Sequence, residues 1–95
     1  MTRCRIGVLA SGGGSNLQAI LDHLAGLGEA RRADVVLVAS NRPDAGALSR
    51  AAKAGVATAL LRSPHAPQGE ELDVVLARHA VDVVALAGYM RQTQK

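Results

Sequence analysis

The chain has 95 residues, a length that allows one domain over residues 1–95 and excludes a second, and a net charge of +3, with 48% hydrophobic and 20% charged residues, a globular balance that disfavours disorder. Its basic residues are scattered, Arg31-Arg32 being the only adjacent pair, and Tyr89 is the lone aromatic, so a nucleic-acid partner is disfavoured and an anionic small molecule fits the charge better. No apolar run approaches the ~20 residues of a membrane span, and the single Cys4, at the start of the first apolar run, reads as a buried thiol in a reducing compartment, with the cytoplasm as the default.

Residues 5–10 (RIGVLA) read as a buried strand that ends in the glycine run Gly12-Gly13-Gly14, where regular structure stops. From 16 to 27, Leu17, Ile20, Leu21, Leu24 and Leu27 recur at helical spacing, with Ser15 placed as the N-cap and Gly28 as the stop. Residues 34–39 (DVVLVA) form a second strand, and Asn41-Arg42-Pro43-Asp44 is turn chemistry with Asp44 expected to cap a helix over 45–54 that ends at Gly55. A third strand over 56–61 leads into a loop at 62–69 that carries two prolines and His65. A third helix is expected over 70–80, with Glu70 and Glu71 in its first turn, then a fourth strand over 81–87 and a loop over 88–95.

The order is βαβαβαβ, which predicts an α/β fold, a Rossmann-like three-layer sandwich on a parallel sheet with its βα loops gathered at one edge. Ligands of such sheets bind at that edge.

The glycine-rich turn lies at this edge, between a buried strand and a helix start. N–H groups in a first helical turn have no intrahelical partner and lie at the positive end of the dipole, so Gly13, Gly14, Ser15 and Asn16 are candidate phosphate ligands. A plain strand-to-helix turn capped by Ser15 is the competing reading. A Walker A loop is excluded, because no lysine occurs before Lys53. The dinucleotide fingerprint is disfavoured by Leu17 in its third glycine position and by Ser40-Asn41 where an acidic residue belongs. Arg42 could face a 2′-phosphate, so a stand-alone phosphate- or NADP-binding module stays open.

Three blocks of sequence go further. The stretch GVLASGGGSNLQAI over 7–20, the block Ser40-Asn41-Arg42-Pro43-Asp44-Ala45 and the segment DVVALAGYMR over 82–91 together resemble folate-dependent phosphoribosylglycinamide formyltransferases, in order and in spacing. The resemblance spans about residue 5 to residue 91 and corresponds to the N-terminal half of that family, truncated after the fourth strand, with the C-terminal catalytic half absent.

It implies transfer of a formyl group from 10-formyltetrahydrofolate, as co-substrate, to glycinamide ribonucleotide in de novo purine biosynthesis. It also implies phosphate contacts at Gly14, Ser15 and Asn16, and folate contacts at Met90 and Arg91. Gln92-Thr93-Gln94-Lys95 depart from the family's apolar continuation, and the loop around His65 lacks the arginine that the family commonly places there.

No catalytic residue carries over, since the family's asparagine, histidine and aspartate lie beyond residue 95, and no metal set is implied. The chain alone is therefore expected to be inactive, with a partner chain supplying the missing half or with self-association. His23, His65 and His79 read as surface or packing residues. Neither Ser11 nor Ser15 fits a nucleophile elbow, and Asp82 reads as a strand-end residue.

Overall fold

The computed structural model of the chain describes residues 3–87, apart from 11, 31 and 65. Strands β1 (Cys4–Ala10), β2 (Ala33–Ser40), β3 (Ala57–Leu60) and β4 (Val83–Ala87) alternate with helices α1 (Ser15–Leu27), α2 (Gly46–Lys53) and α3 (Leu72–Arg78). All three strand pairings are parallel, and the order across the sheet is β3-β2-β1-β4. This is the α/β, Rossmann-like sandwich expected from the alternation of elements.

Two clusters of aliphatic side chains hold the layers together. On one face Val8, Ala10 and Val38 of the sheet pack with Leu17 of α1 and with Ala47 and Ala51 of α2; on the other, Leu9, Leu37, Ala39 and Ala59 pack with Val75 of α3. Small residues on α2 allow that helix to sit close to the sheet, which is how a core without Phe or Trp fills its space. A bulge at Val36 sets the phase of β2: Ile6 pairs with Val35 but Gly7 with Leu37. Val36 and Leu37 consequently face the same side, and Val38 returns to the α1/α2 side.

Gly7 answers a close approach, because a Cβ there would stand 3.1 Å from a Val81 methyl carbon. The segment leading into β4 lies against β1 at that point, tied by Asp82 N–H to the Arg5 carbonyl (2.8 Å) and by Arg5 N–H to the Asp82 carboxylate (2.9 Å). Asp82 is thus the strand-end residue expected.

Several local expectations are corrected. Ser15 is not the N-cap of α1; Gly14 is, at φ 91°, and no side-chain cap bond forms. The chain turns into the helix at Gly14, so Ser15 already occupies the first helical position and its hydroxyl is too far along to cap. Asp44 does not cap α2 either. The N-cap there is Ala45, which is buried, so a charged residue could not replace it, and the Asp44 carboxylate lies 3.8 Å from Arg42 Nε.

The third helix is shorter than 70–80. Both backbone groups of Glu70 are already bound, its N–H to the Leu60 carbonyl (2.8 Å) and its carbonyl to Arg62 N–H (2.9 Å), which extends the β3 line by an isolated bridge to Leu61 and delays the helix. Asp73, rather than Glu70 or Glu71, occupies the first turn. Cys4 is half-buried at the start of β1, not enclosed.

Both α2 and α3 end in the same way. Val56 N–H reaches the Ala51 carbonyl and Gly55 N–H that of Ala52; correspondingly, Val81 N–H reaches Leu76 and Ala80 N–H reaches Ala77. These are Schellman motifs, which require a left-handed residue at the turn. Gly55 supplies it at φ 77°, whereas α3 uses Ala80 at φ 53°. Arg5 braces the strained turn, its Nε donating to the carbonyl of Ala80 (3.0 Å) and its Nη2 to that of His79 (2.9 Å).

β4 pairs with β1 on one side. Its Val83, Val84 and Leu86 are 50%, 40% and 45% exposed. Apolar side chains therefore meet solvent on both faces of this strand, which is at the edge of the sheet among the described residues and has the pattern of a strand interior to a wider one.

Candidate phosphate-binding site

The chain runs outward from β1 through β2 to β3, then crosses over to place β4 on the other flank of β1. The carboxyl end of β1 is consequently the switch point of the sheet, where ligands of open α/β folds bind. The turn of Gly12, Gly13 and Gly14 leaves β1 at that point and enters α1.

Hydrogen bonds fix how this turn presents its backbone. The Gly12 carbonyl accepts from Ala47 N–H (3.2 Å), the Gly13 carbonyl from Arg50 Nε (2.9 Å), and the Gly14 carbonyl from Gln18 N–H (2.8 Å). No cis peptide occurs among the described residues, and in a planar trans peptide the N–H points opposite its carbonyl. Two successive carbonyls directed at α2 thus turn the N–H groups of Gly13 and Gly14 away from it. With the Gly14 carbonyl inside α1, the Ser15 N–H points out of that helix's N-terminus. The four residues singled out from sequence, Gly13, Gly14, Ser15 and Asn16, are contiguous there, and all but the half-buried Gly14 are exposed. Three consecutive N–H donors at the positive end of a helix dipole, with serine and asparagine side chains beside them, can bind an anion such as phosphate.

The three glycines differ in what they do. A Cβ on Gly12 or Gly13 would meet no atom within 4 Å, whereas one on Gly14 would lie 2.7 Å from Ala47 Cα. α2 approaches equally closely from its own side, since a Cβ on Gly46 would stand 2.7 Å from the Gly13 carbonyl oxygen. Gly46, Ala47 and Arg50 therefore shape the turn although sequence reading did not mark them. No local signal could have found them, because Arg50 reaches across 37 positions of sequence to its partner.

The second block lies along the same edge of the sheet. Ser40, buried at the end of β2, accepts from Arg42 N–H at 3.2 Å, and Ser63 Oγ donates to the Asn41 carbonyl at 2.7 Å, fastening the loop after β3 to this turn. Arg42, on which an NADP reading rests, is exposed beside Asp44. His23 is exposed on α1, and His79 ends α3 with its carbonyl held by Arg5. Met90 and Arg91, the folate contacts implied by resemblance, lie outside the described residues, as does His65. Among the described residues no group of three or more His, Cys, Asp or Glu converges on a point where a metal could bind, and no helix is long and apolar enough to cross a membrane.

A glycine turn at the switch point of a parallel sheet, with its N–H groups directed outward, gives an α/β protein the arrangement in which open sheets of this class hold anions. Residues 4–93 match the formyl transferase family, and the chain belongs to it. It is 42% identical over 93 residues to the trifunctional purine biosynthetic protein adenosine-3 of Drosophila pseudoobscura pseudoobscura, covering 94% of this chain and 7% of that protein. To the phosphoribosylglycinamide formyltransferase of Escherichia coli K12 it is 44% identical over 88 residues, covering 88% of this chain and 41% of the relative. The crystal structure of glycinamide ribonucleotide transformylase 1 from Symbiobacterium toebii superposes with a TM-score of 0.75 at 44% identity, over 94% of this chain and 43% of that one. The chain thus spans less than half the length of each of these relatives, and the resemblance read from its three blocks is borne out at the level of the family.

Proposed function

We propose that the turn over residues 12–16 binds the phosphate of glycinamide ribonucleotide, and that the chain is the nucleotide-holding part of a phosphoribosylglycinamide formyltransferase of purine biosynthesis. The observation that carries this reading is the outward direction of the Gly13, Gly14 and Ser15 N–H groups at the switch point of the sheet, in a member of the formyl transferase family. Ser15 and Asn16 add side-chain donors, and Met90 and Arg91 are assigned to 10-formyltetrahydrofolate on the sequence resemblance.

In the reaction the glycinamide nitrogen bonds to the formyl carbon, the bond from that carbon to N10 of the folate breaks, and the amine gives up a proton as N10 gains one. The tetrahedral intermediate calls for an oxyanion donor and a group to handle these protons. We assign neither to the described residues: the family's length beyond the matched part would supply them, through a C-terminal half that extends the sheet at β4, where Val83, Val84 and Leu86 are exposed. Unpartnered, that edge favours self-association. Cytoplasmic location accords with purine synthesis and with the half-buried, unpaired Cys4.

Two measurements test this. Glycinamide ribonucleotide, and inorganic phosphate more weakly, should shift the backbone amide resonances of residues 13–16, while NADP gains nothing over phosphate. Ser15→Ala with Asn16→Ala should reduce the response, and unperturbed amides at millimolar ligand would overturn the reading. Absorbance of the folate product should show no turnover by the chain alone and turnover once a C-terminal half is added, because placement of donor, amine and proton-handling groups supplies much of the rate.

A further inference from the structure

The peptide joining Gly13 to Gly14 is flanked by residues without Cβ atoms, so its own sterics do not fix which way it faces. Rotation about Gly13 ψ and Gly14 φ exchanges the carbonyl for the N–H. Facing one way, the peptide offers an anion a donor; reversed, it offers a carbonyl oxygen that repels it.

The hydrogen bond that favours one direction comes from a side chain on another helix. Arg50 Nε donates to the Gly13 carbonyl at 2.9 Å, Arg50 Nη1 donates to Gln18 Oε1 at 3.3 Å, and Gln18 Nε2 donates to Asp22 Oδ1 at 3.0 Å. One guanidinium on α2 thereby joins the turn to α1. Its fork geometry matters here, because the two acceptors lie in different directions and a planar group with several N–H donors can serve both.

We infer that Arg50 is a positioning residue that locks the peptide between Gly13 and Gly14 in the one orientation that presents Gly14 N–H to a bound anion. The inference rests on the phosphate reading above and extends it to a residue outside the glycine motif. The guanidinium also brings a positive charge to the turn, yet charge alone would raise affinity without choosing the direction of a peptide. Ala47 N–H on the Gly12 carbonyl and the packing of Gly46 against Gly13 do not involve the Arg50 side chain, so its loss is expected to be felt mainly at this single peptide.

The test uses the full chain, isotopically labelled, with inorganic phosphate as the probe. Arg50→Met keeps an unbranched stem and removes the donors and the charge. Without phosphate, backbone couplings that report Gly13 ψ and Gly14 φ should move toward an average over two orientations. With phosphate, the Kd should weaken by roughly three- to tenfold, in line with loss of an exposed charged hydrogen bond. The shift at Gly14 should also shrink relative to those at Ser15 and Asn16.

Arg50→Lys returns the charge and one donor and should restore the Gly14 response in part; it also serves if the methionine variant folds poorly. A purely electrostatic Arg50 would weaken binding with the pattern of shifts unchanged, and a purely structural one would lower thermal stability with both couplings and pattern unchanged. Either result overturns the inference. Absence of any phosphate response in the unsubstituted chain would instead overturn the anion site, while the couplings of ligand-free Arg50→Met would still decide whether Arg50 holds the peptide.

Discussion

Gly14→Ala should separate a glycine required by the protein from glycines that leave room for a ligand. At φ 91° an L-residue is strained, at a cost of about 1–2 kcal/mol. The new methyl would stand 2.7 Å from Ala47 Cα, 2.9 Å from Arg50 Cδ and 3.1 Å from Ala47 Cβ. The arginine methylene can swing away, but the backbone of α2 cannot, and overpacking of this kind costs about 1–3 kcal/mol. The smaller entropy of an alanine in the unfolded chain offsets about 0.4–1 kcal/mol.

The expected loss is therefore about 2–4 kcal/mol, which lowers the midpoint of thermal unfolding by about 10–20 °C in a domain of this size. Gly12→Ala and Gly13→Ala meet no atom within 4 Å and should leave stability within about 0.5 kcal/mol of the parent, yet Gly13→Ala should weaken phosphate binding, because a Cβ there restricts the backbone that presents the Gly13 and Gly14 N–H groups. Urea and thermal unfolding followed by circular dichroism check the first point, and amide shifts with phosphate the second. Equal stability of Gly14→Ala and Gly13→Ala would refute the assignment of roles within the turn.

Two further outcomes follow from the surface of α3. Ala80→Gly should stabilise the chain by about 0.5–1 kcal/mol, because relief of the left-handed strain at φ 53° outweighs the added freedom of the unfolded state; a lower unfolding midpoint would show that the Arg5 brace depends on the alanine. The Arg78 guanidinium, hydrogen-bonded to Glu70, holds that carboxyl below its ordinary range. A depressed folded-state value gives a contribution that is present above the unfolded carboxylate's pKa and is lost as pH falls through the folded one, so Glu70→Gln should lower stability slightly at neutral pH and not at all in acid, flattening a stability-versus-pH curve by a small amount because the group is solvent-exposed.

The strands were legible because parallel strands buried on both faces are runs of aliphatic residues. That same property hid their phase. In a segment such as VVLV every residue is apolar, so nothing in the letters marks Val36 as the extra residue of a bulge. The end of α2 was legible because Gly55 is a glycine in a left-handed position, whereas α3 makes the same motif with Ala80, and the sequence there simply continues. Asp44 and Ser15 have the chemistry of caps but stand one residue from the capping position. The start of α3 depended on Glu70 pairing with Leu61, a contact between segments that composition does not reveal.

The candidate site shows the same division in a sharper form. Its binding groups are backbone N–H donors, and a glycine-rich letter string announces that such donors can be exposed. It does not say where they point. Direction is imposed from α2, through the Ala47 N–H on one carbonyl, the Arg50 guanidinium on the next, and the fit of Gly46 against Gly13. A strand-glycine-helix segment grafted without these partners would keep the sequence of a phosphate turn and lose the alignment of its donors, since glycine peptides have no preference of their own to fall back on. For a site made of main chain, the residues that determine its affinity are those that hold the main chain, and here they lie on the next crossover, on α2.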